Sequence, residues 1–134
     1  RPPFLAHDVV FSPSGRRVWV TAGRERRLVV MSAAGAGHRV VLDADQAPQH
    51  VSFGDGVAFV ASGVGGSVRV HDLAHGHVRH VARVPLCSYN VQAGAGAIVS
   101  PSLASGRLTI LDRSGAVRRE LKVARAAHDA CILR

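Results

Sequence analysis

An internal repeat constrains the fold of this chain more than any other feature. A short apolar segment that follows a polar pair recurs with its anchor at Val9, Val51, Val91 and Ala130, at intervals of 42, 40 and 39 residues. Periods of about 20–50 residues are typical of repeat architectures, in which one unit cannot bury its apolar face alone. The pattern therefore predicts units that stack on one another.

Each unit carries the same order of strand and turn signals. In the second unit, runs rich in β-branched residues at 51–53, 57–62, 68–71 and 78–84 alternate with glycine turns. The corresponding runs are 8–12, 17–22, 28–32 and 39–42 in the first unit, and 91–93, 97–100, 108–111 and 117–123 in the third. Such runs, separated by Gly, Pro, Asp and Ser, predict short strands joined by tight antiparallel turns. We therefore predict an all-β chain of four-stranded antiparallel sheets.

Radial stacking of such sheets gives a β-propeller. A β-sandwich is the structural alternative, but it would not predict the same four-strand order three times. We expect a single β-propeller segment over 1–134, with blades at about 7–48, 49–87 and 88–127 and the first strand of a further blade in a partial repeat at 128–134. Closed propellers have roughly 4–8 blades, so remaining blades of the same protein or self-association should complete the ring.

Two motifs resemble those of a known family. Residues 7–21 read HDVVFSPSGRRVWVT, and residues 68–73 and 108–112 read VRVHDL and LTILD. These segments resemble the blade signature of the YVTN-repeat β-propellers, the group that contains YncE-like and lactonase-like seven-bladed proteins. The resemblance covers essentially the whole chain and implies a propeller, while this chain has less than half of the family's usual blade number.

Composition limits the classes of protein that this chain can belong to. A hydrophobic content of 47% is too high for a disordered chain, and no apolar run reaches the roughly 20 residues of a membrane-spanning helix. The chain begins with Arg1 rather than Met, which suggests a trimmed product. We expect a soluble protein and leave its compartment open between cytoplasm and export.

The net charge of +8 raises the question of nucleic-acid binding. Nearly all of this charge comes from scattered arginines, since Lys122 is the only lysine, and aromatic residues that could stack on bases make up only 4% of the chain. This pattern argues against a nucleic-acid partner.

Polar residues recur where the first strand of each unit begins. In a propeller these strands line the central channel, so their side chains should enter at the same level and form part of a ring. We call them the channel-mouth residues: His7, Asp8, Gln49, His50, Tyr89, Asn90, His128 and Asp129. The ring could bind a polar ligand, hold a divalent metal or supply a general base. The alternative is that these side chains only pair with backbone groups of the preceding loop.

Other candidate groups have simpler interpretations. His71, His75, His77 and His80 surround the Gly76 turn, but their spacing matches no zinc motif, and we expect them to be exposed at the outer rim. Cys87 and Cys131 lie in apolar surroundings and are expected to be buried free thiols, although a bridge between them stays open. Aspartates at the turns, among them Asp72 and Asp112, should cap nearby amides.

These observations lead to three functional hypotheses. The first is a non-catalytic propeller module that presents a rigid face or channel mouth to a protein partner or small ligand, with no cofactor. The alternative is a lactonase-like or other hydrolase with a metal or acid/base site at the channel mouth. The third is that these blades only support a site built elsewhere. No nucleophile-elbow motif indicates a serine hydrolase.

Overall fold

The protein folds into three antiparallel sheets of four strands. The structure, a computed structural model, describes residues 3–35, 37 and 39–133. The first sheet contains β1 (Val9–Phe11), β2 (Arg17–Thr21), β3 (Arg27–Ser32) and β4 (Arg39–Asp43). The second contains β5 (Pro48–Gly54), β6 (Val57–Ser62), β7 (Ser67–Asp72) and β8 (Val78–Arg83). The third contains β9 (Gln92–Gly94), β10 (Ala97–Pro101), β11 (Arg107–Leu111) and β12 (Val117–Lys122).

Within each sheet the strands pair in chain order. The prediction of an all-β chain with three four-stranded blades is therefore confirmed. No helix occurs within the described ranges, and hence none that is long and apolar enough to cross a membrane. Ala36, in a predicted turn of the first unit, and Arg134, at the end of the predicted partial repeat, lie outside the described residues.

The tight turns explain why the strands begin and end where they do. In the turns that join β5 to β6 and β9 to β10, both central residues have positive φ: 49° and 77° at Asp55 and Gly56, and 46° and 77° at Ala95 and Gly96. Two successive positive φ values define the hairpin turn whose twist matches that of the flanking strands. These turns fix the register, with Gly54 opposite Val57 and Gly94 opposite Ala97.

The second sheet is covered on both of its faces. All six residues of β6 are buried, and the five apolar ones alternate between two separate apolar cores. Ala58 and Val60 belong to the first interface core, which lies between the first and second sheets. Val57, Phe59 and Ala61 belong to the second interface core, between the second and third sheets. The period of two along a strand therefore places one core on each side of the same sheet.

The two interface cores differ in composition. The first interface core consists of Trp19, Leu28, Val30, Ala44, Val51, Ala58 and Val60, with Val10, Leu42, Phe53 and Leu73 packed against it. The second consists of Val57, Phe59, Ala61, Val68, Val70, Ala82, Val84, Val91, Ile98 and Leu111, with Ala93 packed against it.

The segment after β12 differs from the prediction. A further strand was expected at 129–133, yet these residues have no strand partner in the part of the chain that the structure describes. Ile132 nevertheless lies beside Gly94 of β9, where a Cβ added to the glycine would come within 3.4 Å of the Ile132 Cβ. The segment therefore follows the third sheet without pairing, since a strand is defined by the neighbour that it bonds.

Candidate functional site

The loops that lead into the first strands are held by hydroxyl groups at the ends of the second strands. The Thr21 backbone accepts a hydrogen bond from the His7 amide at 2.9 Å, and its Oγ1 accepts one from the Asp8 amide at 3.1 Å. Thr21 Oγ1 in turn donates to the Gln49 carbonyl at 2.7 Å. Ser100, near the end of β10, donates to the Asn90 carbonyl at 2.7 Å. These bonds fix where the channel-mouth side chains emerge.

Asp8 and His50 meet between the first two sheets. The Asp8 carboxylate accepts hydrogen bonds from the amides of Val9 at 2.8 Å and Val51 at 3.4 Å, and His50 Nδ1 lies 3.4 Å from Asp8 Oδ2. The ring of His7 lies against that of His50 in an edge-on arrangement, with centroids 5.4 Å apart. The Asp8 carboxylate thus accepts hydrogen bonds from backbone amides, while the rings of His7 and His50 both keep accessible surface.

Asn90, His128 and Asp129 form a second group, beside the third sheet. The buried Asn90 amide donates to Asp129 Oδ1, and His128 Nδ1 lies 2.8 Å from Asp129 Oδ2. The hydrogen bonds from His128 and then Asn90, with a contribution from the charge of His50, lower the pKa of Asp129 below its ordinary value. Asp129 is therefore ionised at neutral pH, and its side chain remains 68% exposed.

His50 contacts Asp8, and His128 contacts Asp129, so each group pairs an imidazole with a carboxylate. We call these four side chains together the belt, since they lie where the first strands of the blades begin and beside the third sheet. Such a belt can donate and accept hydrogen bonds over its length. Within the described residues, however, no three His, Cys, Asp or Glu side chains converge as metal ligands would.

Two of the predicted channel-mouth residues take other positions. Tyr89 packs on Gly63 in the β6–β7 turn, where any Cβ on the glycine would collide with its ring. Hydrogen bonding with the Cys87 thiol, together with burial, raises the pKa of Tyr89. The Oε1 atom of Gln49 is buried and has no hydrogen-bond partner in the described part of the chain. The structure gives neither residue a contact with the charged side chains of the belt.

Sequence reasoning missed the hydroxyl groups that organise this site. Thr21 and Ser100 position the loops, and Ser52 Oγ accepts the Ala93 amide at 2.9 Å, which ties β5 to β9. No common position in the repeat marked them, since Thr21 follows Val20, the partner of Val9, whereas Ser100 follows Val99, the partner of Gln92. Small polar residues at such positions are difficult to distinguish from ordinary strand residues before the neighbouring loop is known.

Two expectations about the other candidate groups are wrong. His71 was expected at the exposed rim, yet it is fully buried, because its position in β7 faces the first interface core and its ring lies 6.0 Å from that of Trp19. Cys131 was expected to be buried but is exposed, since no further sheet covers its segment among the described residues. Both cysteines are free, and Cys87 is half-buried.

Solved structures with the same fold support the assignment of the sheets as blades. No family model and no curated protein matches the sequence. The chain is similar to Sqt1 of Saccharomyces cerevisiae, with a TM-score of 0.81 and 13% identity over 92% of this chain. It is also similar to a chain of the mitotic checkpoint complex, with a TM-score of 0.76 and 16% identity over 90% of this chain.

A third similar structure is that of a catalytically inactive virginiamycin B lyase from Staphylococcus aureus with quinupristin. The TM-score is 0.75, and the identity is 14% over 92% of this chain. The chain spans only 36%, 39% and 43% of the length of these three proteins, in the order given. At such low identity the likeness concerns the fold alone. The described sheets are three consecutive blades of a β-propeller.

Proposed function

We propose that this chain is a non-catalytic β-propeller module that binds a polar small molecule, or a polar segment of a partner protein, at the channel mouth. The observation that carries the proposal is the belt, in which Asp8 pairs with His50 and Asp129 pairs with His128. Rigid sheets hold its members in place, and its imidazole and carboxylate groups can both donate and accept hydrogen bonds. The motif at residues 7–21 supports blades of the YVTN type.

Binding at the belt can be tested by NMR with a library of small polar fragments. Fragments that bind should shift the backbone amide resonances of residues 7, 8, 50, 90, 128 and 129. The His50→Ala variant removes the imidazole that pairs with Asp8 and should abolish these shifts. His77→Ala, at an exposed position away from the belt, is the matched control and should leave them unchanged.

The same experiment can contradict the proposal. Shifts that cluster elsewhere in the chain, or that survive in His50→Ala, would remove the belt from consideration as a binding site. The hydrolase alternative needs turnover of a lactone panel, with and without added divalent metal. Turnover that His128→Ala abolishes would replace a binding role with a catalytic one.

We also propose that the two outer faces of this three-blade segment are covered by further blades or by a second copy of the chain. Val9 and Phe11 of β1 are 58% and 61% exposed, and apolar side chains of this size are normally covered. Light scattering of the 134-residue chain should then give a mass above that of the monomer, rising with concentration. A monomer at all concentrations would argue that the exposed faces need no cover.

A further inference from the structure

A second site, separate from the channel mouth, lies between the first and second sheets. Strands β2, β3 and β4 face the β7–β8 turn there across a cleft of about 440 Å³. Trp19, Val30 and Leu42 form its apolar part, while Arg16, Arg17 and His75 also line it. Ligand pockets for small molecules have volumes of roughly 300–1,000 Å³ and combine an apolar wall with a few polar groups. The cleft meets both conditions.

The cleft contains a buried donor that lacks an acceptor. Trp19 lines the cleft and is only 1% exposed, and its Nε1 has no hydrogen-bond partner within the described residues. Buried polar atoms in folded proteins are nearly always paired, so an unpaired indole N–H is unusual. Because this atom has almost no accessible surface, a ligand with an oxygen acceptor satisfies it after a small shift of the side chains that cover it.

The lining also carries positive charge without a compensating acid. Arg17 Nη1 donates to the carbonyls of Leu73 at 2.6 Å and Ala74 at 3.0 Å, which holds its guanidinium across the gap between the sheets. Arg16 is exposed, and its side chain makes no ion pair or hydrogen bond to the described residues. Among the described residues, no Asp or Glu lines the cleft. A carboxylate is the group that an arginine binds best, through two parallel hydrogen bonds.

We propose that this cleft binds a small organic carboxylate whose body is aromatic and carries one further oxygen acceptor. The aromatic body lies on the apolar wall, the acceptor takes the Trp19 N–H, and the carboxylate pairs with Arg16. The sites of the cleft and of the belt share no residue, so this proposal stands independently of the proposed function.

The chain offers a specific reporter for this site, because Trp19 is its only tryptophan. A titration with 4-oxo-4-phenylbutanoate, followed through the indole resonance in ¹H–¹⁵N spectra, should show saturable movement of that resonance. Two matched compounds separate the contributions. The ketone 4-hydroxy-1-phenylbutan-1-one lacks the carboxylate and should bind roughly tenfold more weakly, since it loses a charge-assisted hydrogen bond. The acid 4-phenylbutanoate lacks the ketone and should move the indole resonance less.

Protein variants test the same contacts from the other side. Arg16→Gln should weaken binding of the keto acid roughly tenfold, because the pairing cation is lost. Arg79→Gln, an exposed position on β8 outside the cleft, is the control and should bind as the unmodified chain does. Val40→Asp places a carboxylate at a half-exposed position of the lining and should also weaken binding by repulsion. The circular dichroism spectrum of each variant reports whether the fold is retained.

Any one of three results would overturn the proposal. The first is an indole resonance that does not move at millimolar keto acid. The second is a neutral ketone that binds as tightly as the acid, and the third is normal binding of the keto acid by both Arg16→Gln and Val40→Asp. His50→Ala should leave keto acid binding intact, so failure at the belt and failure at the cleft are distinguished.

Discussion

The two interface cores contain the same structural elements but are filled differently. The first places the aromatic rings of Trp19, Phe53 and His71 between its sheets and leaves an open cleft beside them. The second is filled by aliphatic side chains around Phe59, and a cleft of about 540 Å³ also lies beside it, where the polar side chains of Arg79, His80 and Arg113 form much of the lining. The two interfaces share one strand pattern, so the side chains that line each cleft decide whether its wall is apolar or polar.

The largest expected effect distinguishes the cores by their tightness. Phe59→Ala should lower the free energy of unfolding by about 3–5 kcal/mol, because Phe59 is fully buried and its removal leaves a cavity. Trp19→Phe should cost less than about 2 kcal/mol, since the indole N–H makes no hydrogen bond to the described residues and Phe keeps an aromatic ring at this buried position. Denaturant unfolding measures the free energy of unfolding of both variants. Equal losses of this free energy would mean that the first interface core is packed as tightly as the second.

Glycines in the outer turns test how closely successive blades approach each other. Gly76 and Gly115 have φ of 80° and 90°, and a Cβ at either position would collide with the preceding sheet, at Leu42 and Val70 respectively. Replacement of either glycine by alanine combines left-handed strain with overpacking and should cost about 2–4 kcal/mol.

Gly35 provides the matched control for these two glycines. It has a φ of 76°, and nothing lies within 4 Å of an added Cβ. Gly35→Ala should therefore cost only about 1 kcal/mol, which is the conformational penalty alone. Thermal unfolding ranks the three variants by stability. If Gly35→Ala lost as much stability as Gly76→Ala, conformational strain alone would account for the effect.

The buried histidine of the first interface core should make stability depend on pH. Burial lowers the pKa of His71, although the hydrogen bond between its Nδ1 and the Gly76 carbonyl partly opposes this effect. The unfolded chain therefore takes up a proton at a higher pH than the folded chain. Stability should fall as the pH drops below about 6.5, by at most about 1.4 kcal/mol for each pH unit, until the folded-state pKa is reached.

Variants assign this pH dependence to one residue. His71→Gln should be less stable at neutral pH but should show a flatter stability profile between pH 7 and pH 5. His77→Gln, which changes an exposed histidine, should retain the profile of the unmodified chain. An unchanged slope in His71→Gln would contradict the assignment.

The smallest expected effect concerns the aspartates in the outer turns. Hydrogen bonds, of which that from Ser114 is strongest, lower the pKa of Asp112 to about 2. The corresponding Asp72 accepts the His75 amide at 2.7 Å, and its pKa is also lowered. These contacts stabilise the fold above the ordinary carboxyl pKa of 3.8, and the stabilisation is lost as the pH falls towards 2.

Substitution separates the two aspartates. Asp112→Asn should lower the melting temperature at pH 7 by a few degrees at most and reduce the acid sensitivity of the chain, and Asp72→Asn should do less. Asp43→Asn, at an exposed strand end, is the control. A larger fall in melting temperature for Asp72→Asn than for Asp112→Asn would show that the stronger turn contact lies in the β7–β8 turn, at the first interface.

The strands and turns could be predicted because their causes are local. The turn at Asp55 and Gly56 needs two positive φ values, and the residue types at those positions tolerate them. The structure brings Asp8 to His50 and His128 to Asp129, while a binding role for the channel-mouth residues stays a prediction. Tyr89 and Gln49 could not be excluded by pattern, because their positions depend on the Gly63 turn and on the burial of an amide oxygen.

The number of units, the order of strands within each unit and the residue types at the turns follow from the amino-acid sequence. Which of the equivalent positions are buried depends on the packing of the sheets. Val51 and Val91 are 7% and 1% exposed, whereas the equivalent Val9 is 58% exposed. The three residues occupy the same place in the repeat, but burial depends on whether a neighbouring sheet packs on that face. That neighbour is distant in sequence, so no local pattern reports it.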